Sequence, residues 1–181
     1  MANYRLDKND CVLVIIDMQE KLMKAMPTRE KVYKNINLLL AAAEQMDIPV
    51  IVTEQYPAGL GATVDEIKAN LKEYKYADKM EFSAYSSISN LLSANQRKTL
   101  LLTGSETHVC VFQTTRDLIE NGYNVCLVKD GVCSRFEENY LNGLELMKDM
   151  GAVITNTETV LFDLLKLAGG PEFKVISKLL K

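Results

Sequence analysis

Short, continuous apolar segments alternate with longer amphipathic segments along almost the whole chain. The apolar segments are rich in β-branched residues and end at polar or turn-forming residues, as in strands buried on both faces of a parallel sheet. This pattern predicts six strands, at 11–16, 50–53, 78–82, 99–102, 125–128 and 152–155. Helical spacing of apolar residues, with capping and breaking residues, predicts helices at 28–46, 63–74, 87–95, 109–123, 136–150, 160–167 and 173–180.

The alternation of strands and helices indicates an α/β fold in which helices cover both faces of one sheet. We predict a doubly wound, Rossmann-like, six-stranded and mainly parallel sheet with strand order 3-2-1-4-5-6. In that order the first and fourth strands are neighbours at the topological switch point, where sites lie beyond the carboxyl ends of the strands. No repeat or linker interrupts the pattern, so we expect residues 1–181 to form a single domain.

Composition and charge narrow the classes of function. The 181 residues are 48% hydrophobic and 25% charged, which is typical of a globular chain with a sizeable core. The formal net charge is −3 without a basic cluster, so we expect no nucleic-acid or membrane partner. The first residues, MANYRLDKND, lack the apolar core of a signal peptide, and we predict a cytoplasmic protein.

Among four cysteines without a CxxC pair, Cys110 has a distinctive position. It follows a strand and a glycine-containing turn, in the first turn of the predicted helix 109–123. Free backbone N–H groups and the helix dipole favour an anion there, so a nucleophilic thiolate is one interpretation. The other is a small buried apolar residue, which is what most free cysteines are.

Asp17 directly follows the first strand, and the predicted topology places it in the same crevice as Cys110. A desolvated carboxylate there would have a raised pKa and would take the thiol proton and return it to a leaving group. His108, the single histidine, lies two positions before Cys110. Side chains at that spacing in a helical turn point apart, so we place His108 at the rim of the pocket.

Further polar and aromatic residues lie at or near the ends of predicted strands on the same edge. Lys79, in the weak third strand, would by residue type alone be a solvated surface lysine. The residues that we predict to contact a substrate are Gln19, Glu54, Tyr56, Phe82, Tyr85 and His108.

Three segments together resemble the isochorismatase-like cysteine hydrolases, which include nicotinamidases and N-carbamoylsarcosine amidase. The segments are VLVIIDMQ (12–19), DKMEFSAY (78–85) and LLTGSETHVCV (101–111), in the order and spacing of that family. The resemblance covers most of the chain.

The resemblance implies a catalytic triad of Asp17, Lys79 and Cys110, in which the lysine lowers the thiol pKa. It also implies a cis peptide bond between Ser105 and Glu106, with the backbone N–H groups of Glu106 and Cys110 forming an oxyanion hole. The implied reaction is hydrolysis of a C–N, amide-type bond of a small molecule through an acyl-enzyme on Cys110.

Departures from the family pattern narrow this expectation. Nicotinamidases carry an Asp and two histidines that bind a metal beside the triad, whereas the loop TEQYPAGLG has no histidine. We therefore predict no metal and no cofactor, and we do not expect nicotinamide as the substrate. Isochorismatases proper lack the nucleophilic cysteine, which also disfavours vinyl-ether hydrolysis.

Family members commonly form homo-oligomers, and we expect one here. The candidate interface residues, if exposed, are Phe173, Ile176, Leu179 and Leu180. A different class of function stays open, namely a thiol-based redox sensor or an oligomeric binding module on the same fold, without turnover.

Overall fold

A single six-stranded sheet forms the centre of the described chain, and every neighbouring pair of strands is parallel. The computed structural model describes residues 4–180. The sheet order is β3-β2-β1-β4-β5-β6, which confirms the predicted fold class and order. The strands are β1 (Cys11–Ile16), β2 (Val50–Gln55), β3 (Lys75–Lys79), β4 (Thr99–Ser105), β5 (Asn124–Cys133) and β6 (Val153–Thr155).

Helices follow the strands in alternation, and a π-helical turn, Thr107–Val111, joins β4 to the helix after it. The α-helices are α1 (Glu20–Met23), α2 (Arg29–Gln45), α3 (Pro57–Leu60), α4 (Asp65–Lys68), α5 (Tyr85–Asn95), α6 (Phe112–Glu120), α7 (Glu137–Asp149), α8 (Thr157–Leu165) and α9 (Pro171–Leu179). Within residues 4–180, no helix has the length and apolar character needed to cross a bilayer.

The two faces of the sheet carry separate apolar cores, because successive side chains of a strand point to opposite faces. Along β1, Leu13 and Ile15 belong to the core formed with α2, α8 and α9. Val12 and Val14 belong to the core formed with α5, α6 and α7. Burial on both faces explains why β1 is a continuous apolar run and why its position is predictable.

Two predicted elements differ from the structure at the edge next to β2. The helix predicted at 63–74 is only the single turn α4, because Thr63 bridges to Gln19 and the chain then leaves the helix to enter β3. The third strand occupies Lys75–Lys79 instead of 78–82. Its residues KYADK lie on an exposed edge strand, where no apolar run marks the boundaries.

The C-terminal helix is present but is not a wholly free apolar surface. Ile176 is 1% exposed and packs into the core beside α2, so it is unavailable to a partner. Leu180 is also packed against that core, whereas Leu179 is 45% exposed. The rings of Phe162 and Phe173 lie 6.5 Å apart between α8 and α9.

Candidate active site

Asp17 is fixed at the switch point by the two strands that flank β1. Its backbone has a positive φ of 51°, a conformation that aspartate tolerates better than most residues. Its N–H donates to the carbonyl of Thr53 at 3.1 Å, and the Ser105 hydroxyl donates to its carbonyl at 2.8 Å. The Thr53 hydroxyl donates to Oδ1 at 2.8 Å. These bonds hold a carboxylate with no solvent exposure in one orientation.

Lys79 ends β3 and lies in the interior, not on the surface, with 3% exposure. Its Nζ is 2.6 Å from Oδ2 of Asp17. Its other acceptors are Gln55 Oε1 at 2.7 Å, the Phe82 carbonyl at 3.0 Å and the Glu81 carbonyl at 3.3 Å. A buried ammonium needs such partners, and here its three protons have four acceptors within reach.

Cys110 lies in the π-helical turn rather than in the first turn of an α-helix, which begins only at Phe112. Such turns recur at functional sites because they change the direction of side chains. Cys110 is 6% exposed, and its thiol interacts with the side chains of Asp17 and Lys79, which shift its pKa in opposite directions. The peptide bond between Ser105 and Glu106, just before this turn, is cis, as the resemblance implies. Of the implied triad, Asp17 and Lys79 are therefore in direct contact, and both interact with the Cys110 thiol.

Burial dominates the protonation of this cluster. Desolvation raises the pKa of Asp17, against the lowering effect of Lys79. Desolvation, followed by the neighbouring Asp17 charge, raises the pKa of Cys110 to about 12, although Lys79 opposes the rise. The expected thiol of lowered pKa is therefore wrong for this site, because burial and the Asp17 charge outweigh the lowering effect of Lys79.

Glu106, whose backbone N–H is the expected partner of an oxyanion, is anchored by Arg135. The backbone N–H and the Nε–H of Arg135 each donate to Glu106 Oε2 at 3.1 Å. Glu106 is 8% exposed, whereas the Arg135 side chain is 53% exposed. This contact ties the end of β5 to the segment just before the π-helical turn.

Two residues predicted to contact the substrate have their polar atoms engaged elsewhere. The Gln19 amide donates to the Gln55 carbonyl at 2.9 Å and to the Gly61 carbonyl at 2.7 Å, and it accepts from the Gln55 N–H at 2.7 Å. Glu54 Oε1 accepts from the N–H and hydroxyl of Thr63 at 2.6 and 2.7 Å. Both side chains hold the loop after β2 in place, and their contact with a substrate stays a prediction.

The remaining predicted contacts come shortly after β2, β3 or β4 in the chain. Tyr56 and Phe82 are 49% and 54% exposed, and they follow the ends of β2 and β3. Tyr85 begins α5 and is partly buried. The Nδ1 of His108 lies 3.0 Å from the hydroxyl of Ser134, just after β5, and the position of His108 at the pocket rim stays a prediction.

Sequence reasoning missed the hydrogen bonds that Thr53 and Ser105 donate to Asp17 and that Gln55 accepts from Lys79. All three residues lie in the carboxyl-terminal halves of β2 or β4, at the edge of the sheet where the ends of the strands meet. Extending these strands beyond their apolar runs would have revealed Gln55 and Ser105, whereas Thr53 is the last residue of the predicted strand. The predicted strands end at residues 53 and 102, which is too early, because both strands continue through polar residues to Gln55 and Ser105.

No part of the described chain, residues 4–180, brings together three His, Cys, Asp or Glu side chains in a way that would hold a metal ion. The four cysteines are all free and buried. That the protein uses neither metal nor cofactor stays a prediction.

Comparison with known proteins agrees with this geometry. Residues 11–159 match the isochorismatase domain family. The secreted isochorismatase effector Isc1 of Phytophthora sojae is 42% identical over 183 residues, covering 98% of this chain and 87% of that protein.

Solved structures give the same result. The MAR1 ribonuclease of Caenorhabditis elegans has a TM-score of 0.91 and 35% identity, covering 97% of this chain and 91% of that one. YcaC of Escherichia coli, described as an octameric hydrolase of unknown specificity, has a TM-score of 0.85 and 26% identity, with 92% and 85% covered. Membership of this family supports a hydrolase role. The chain belongs to the isochorismatase domain family.

Proposed function

We propose that the protein is a cysteine hydrolase that cleaves the C–N bond of a small amide-type substrate through an acyl-enzyme on Cys110. The observation that carries the proposal is the contact of one fully buried carboxylate, Asp17, with both the Cys110 thiol and the Lys79 ammonium. A buried, protonated thiol becomes a nucleophile only if a nearby base takes its proton, and Asp17 is the carboxylate beside Cys110.

In the first half of the proposed reaction, the Cys110 sulfur bonds to the substrate carbonyl carbon while its proton passes to Asp17. The carbonyl oxygen becomes an oxyanion, for which the backbone N–H groups of Glu106 and Cys110 are the proposed donors. The C–N bond then breaks, and the amine leaves with the proton that Asp17 had accepted. The raised pKa of Asp17 favours the first transfer, because a carboxylate with an ordinary pKa would be too weak a base to take the thiol proton. A pKa closer to the working pH still allows the protonated acid to pass that proton to the leaving amine.

In the second half, water attacks the thioester while Asp17 accepts one of its protons. The carboxylic acid leaves and the Cys110 sulfur takes the proton back, so the starting state is restored. Lys79 keeps its charge throughout and offsets the negative charge wherever it lies, on Asp17 or on sulfur. No metal takes part in the proposed sequence.

A small uncharged or weakly polar substrate suits the surroundings of the triad best. The aromatic side chains of Tyr56 and Phe82 stand exposed at the mouth and offer apolar contact. One similar structure carries the name of a ribonuclease, but the net charge of −3 here does not favour a polyanionic substrate.

The alternative, a redox sensor, is less well supported. A sensor thiol is typically exposed and has a low pKa, whereas Cys110 is 6% exposed and burial raises its pKa to about 12. The two functions differ in turnover. A sensor would show peroxide-dependent oxidation of Cys110 and would hydrolyse no compound.

Intact-mass spectrometry of the protein incubated with small amides and activated esters tests the proposal. We expect an acyl adduct that maps to Cys110, is absent from Cys110→Ala, and decays as the acid product appears. Single-stranded RNA in the same series is expected to remain intact. If every amide and ester leaves Cys110 unmodified and no acid forms, the proposed function is wrong.

Three broader expectations accompany the proposal. We propose a homo-oligomer, supported by the octameric state given for YcaC, and light scattering of the purified chain would measure it. The single-domain organisation of 1–181 is supported by the family match over 11–159. The cytoplasmic location remains a prediction from the sequence, and one relative is by name a secreted protein.

A further inference from the structure

Gln55, the last residue of β2, is the cross-strand partner of Lys79 in the β2–β3 ladder. Its Oε1 accepts a hydrogen bond from Lys79 Nζ at 2.7 Å, and its Nε2 donates to the Met80 carbonyl at 2.8 Å. Gln55 is 8% exposed, and its bond to Lys79 is buried, whereas its bond to Met80 is only partly so. We propose that Gln55 is a positioning residue that keeps the Lys79 ammonium in contact with both Asp17 and Cys110.

Hydrogen bonds from the Gln19 side chain hold the backbone of Gln55 in place, so the Gln55 side chain starts from a fixed position. Gln19, which has no solvent exposure, accepts from the Gln55 N–H at 2.7 Å and donates to the Gln55 carbonyl at 2.9 Å. One side-chain amide thus satisfies both backbone groups of the same residue, as a neighbouring strand would. The amide of Gln19 acts on the site through Gln55.

The role of this clamp rests on the proposed function, in which negative charge moves between Asp17 and sulfur. An ammonium bound by the carboxylate alone would stay with the carboxylate and leave the thiolate without a cation. Three acceptors outside the triad resist that shift, namely Gln55 Oε1 and the carbonyls of Glu81 and Phe82. Two of them are backbone atoms that no side-chain substitution removes, so Gln55 is the one that mutagenesis can test.

The alkylation rate of Cys110 by iodoacetamide at one mildly alkaline pH reports the reactive thiolate directly. Gln55→Met preserves length and removes the acceptor. We expect its alkylation rate to fall on the order of tenfold, the change that one pKa unit produces. Cys110→Ala gives the background from the other thiols. An unchanged or faster rate in Gln55→Met would overturn the proposal.

A double-mutant cycle separates positioning from general damage. If Gln55 acts through the ammonium, Gln55→Met causes no further loss of alkylation in a Lys79→Met background. Additive losses would mean that Gln55 merely supports the fold. Thr63→Val is the matched control, because it removes a buried hydrogen bond from the same loop without touching Lys79, and its alkylation rate should equal that of the wild type.

A measurement on the wild-type protein keeps the proposal open to refutation if Gln55→Met does not fold. The ¹H–¹⁵N signal of the Lys79 ammonium, assigned by its absence from Lys79→Met, should be protected from exchange with water. It should also show cross-peaks to the Gln55 side-chain amide. A rapidly exchanging ammonium without those cross-peaks would overturn the positioning role. Neither experiment needs turnover, so an enzyme that alkylates as expected but hydrolyses nothing would refute the proposed function alone.

Discussion

The centre and the rim of the site both lie at the carboxyl ends of the strands, but their side chains are held very differently. At the centre, Asp17, Lys79 and Cys110 are 0%, 3% and 6% exposed and contact one another. At the rim, Tyr56 and Phe82 are about half exposed. The backbones nevertheless join the two layers, because the Phe82 carbonyl accepts from Lys79 Nζ and the Tyr56 N–H donates to the Lys79 carbonyl.

This difference indicates a division of roles, in which the buried centre would carry out the proposed chemistry and the exposed rim would select the substrate. The rim residues contact Lys79 through backbone atoms, namely the Phe82 carbonyl and the Tyr56 N–H. Substitution of their side chains should therefore leave the positions of Asp17, Lys79 and Cys110 unchanged. Changes at the centre should therefore abolish turnover or folding, whereas changes to rim side chains should alter substrate affinity. The following predictions test that division, beginning with the largest expected effect.

Asp17→Asn should lower kcat by about 10²–10⁴-fold, the range typical of a lost general base. The amide is nearly isosteric and can accept the Thr53 hydrogen bond, but it cannot take the thiol proton. Steady-state kinetics on any amide that acylates Cys110 would measure the loss, with circular dichroism to verify folding. A variant that is folded and retains nearly full activity would show that Asp17 is not the base.

Gly104→Ala should destabilise the fold by about 3 kcal/mol or more. Gly104 has a φ of +124°, and a Cβ there would lie 2.0 Å from the Ile16 carbonyl oxygen, directly beside Asp17. The matched control is Gly122→Ala, which has a φ of +78° but no atom within 4 Å of the added Cβ. That control should cost about 1–2 kcal/mol. Urea unfolding measures both, and equal losses would show that backbone conformation alone matters.

The pH dependence of kcat/KM should show an acid limb above the ordinary aspartate pKa of 3.8, because burial raises the pKa of Asp17. The base must be ionised, so kcat/KM falls as pH drops through that value, by about tenfold per pH unit. On the alkaline side, kcat/KM should not fall until the pH approaches the Cys110 thiol pKa of about 12.

The single histidine provides the control for this limb. His108→Gln should leave its position unchanged, because Nδ1 of His108 faces Ser134 rather than the triad. If the limb moved or vanished in His108→Gln, the titrating group would be the histidine. The rim would then take part in proton transfer, against the division drawn above.

The sequence predicts the centre of this site better than its protonation or its supports. Asp17 and Cys110 follow buried central strands, whose apolar runs mark them and whose order places them together. Lys79 lies on the exposed edge strand β3, which has no such run, and only the family resemblance identified it. The π-helical turn and the raised thiol pKa depend on tertiary burial, which a local pattern of residues does not encode.

The smallest predicted effect is at the rim. Phe82→Ala should raise KM by about tenfold, since losing an aromatic contact costs roughly 1.5 kcal/mol. Its kcat should change little, because the bond to Lys79 uses the Phe82 carbonyl, which the substitution keeps. Phe162→Ala, at a phenylalanine 45% exposed on α8, controls for general loss of apolar surface and should leave KM unchanged. A fall in kcat at constant KM in Phe82→Ala would mean that the rim side chain orients the triad, and the separation of chemistry from specificity would fail.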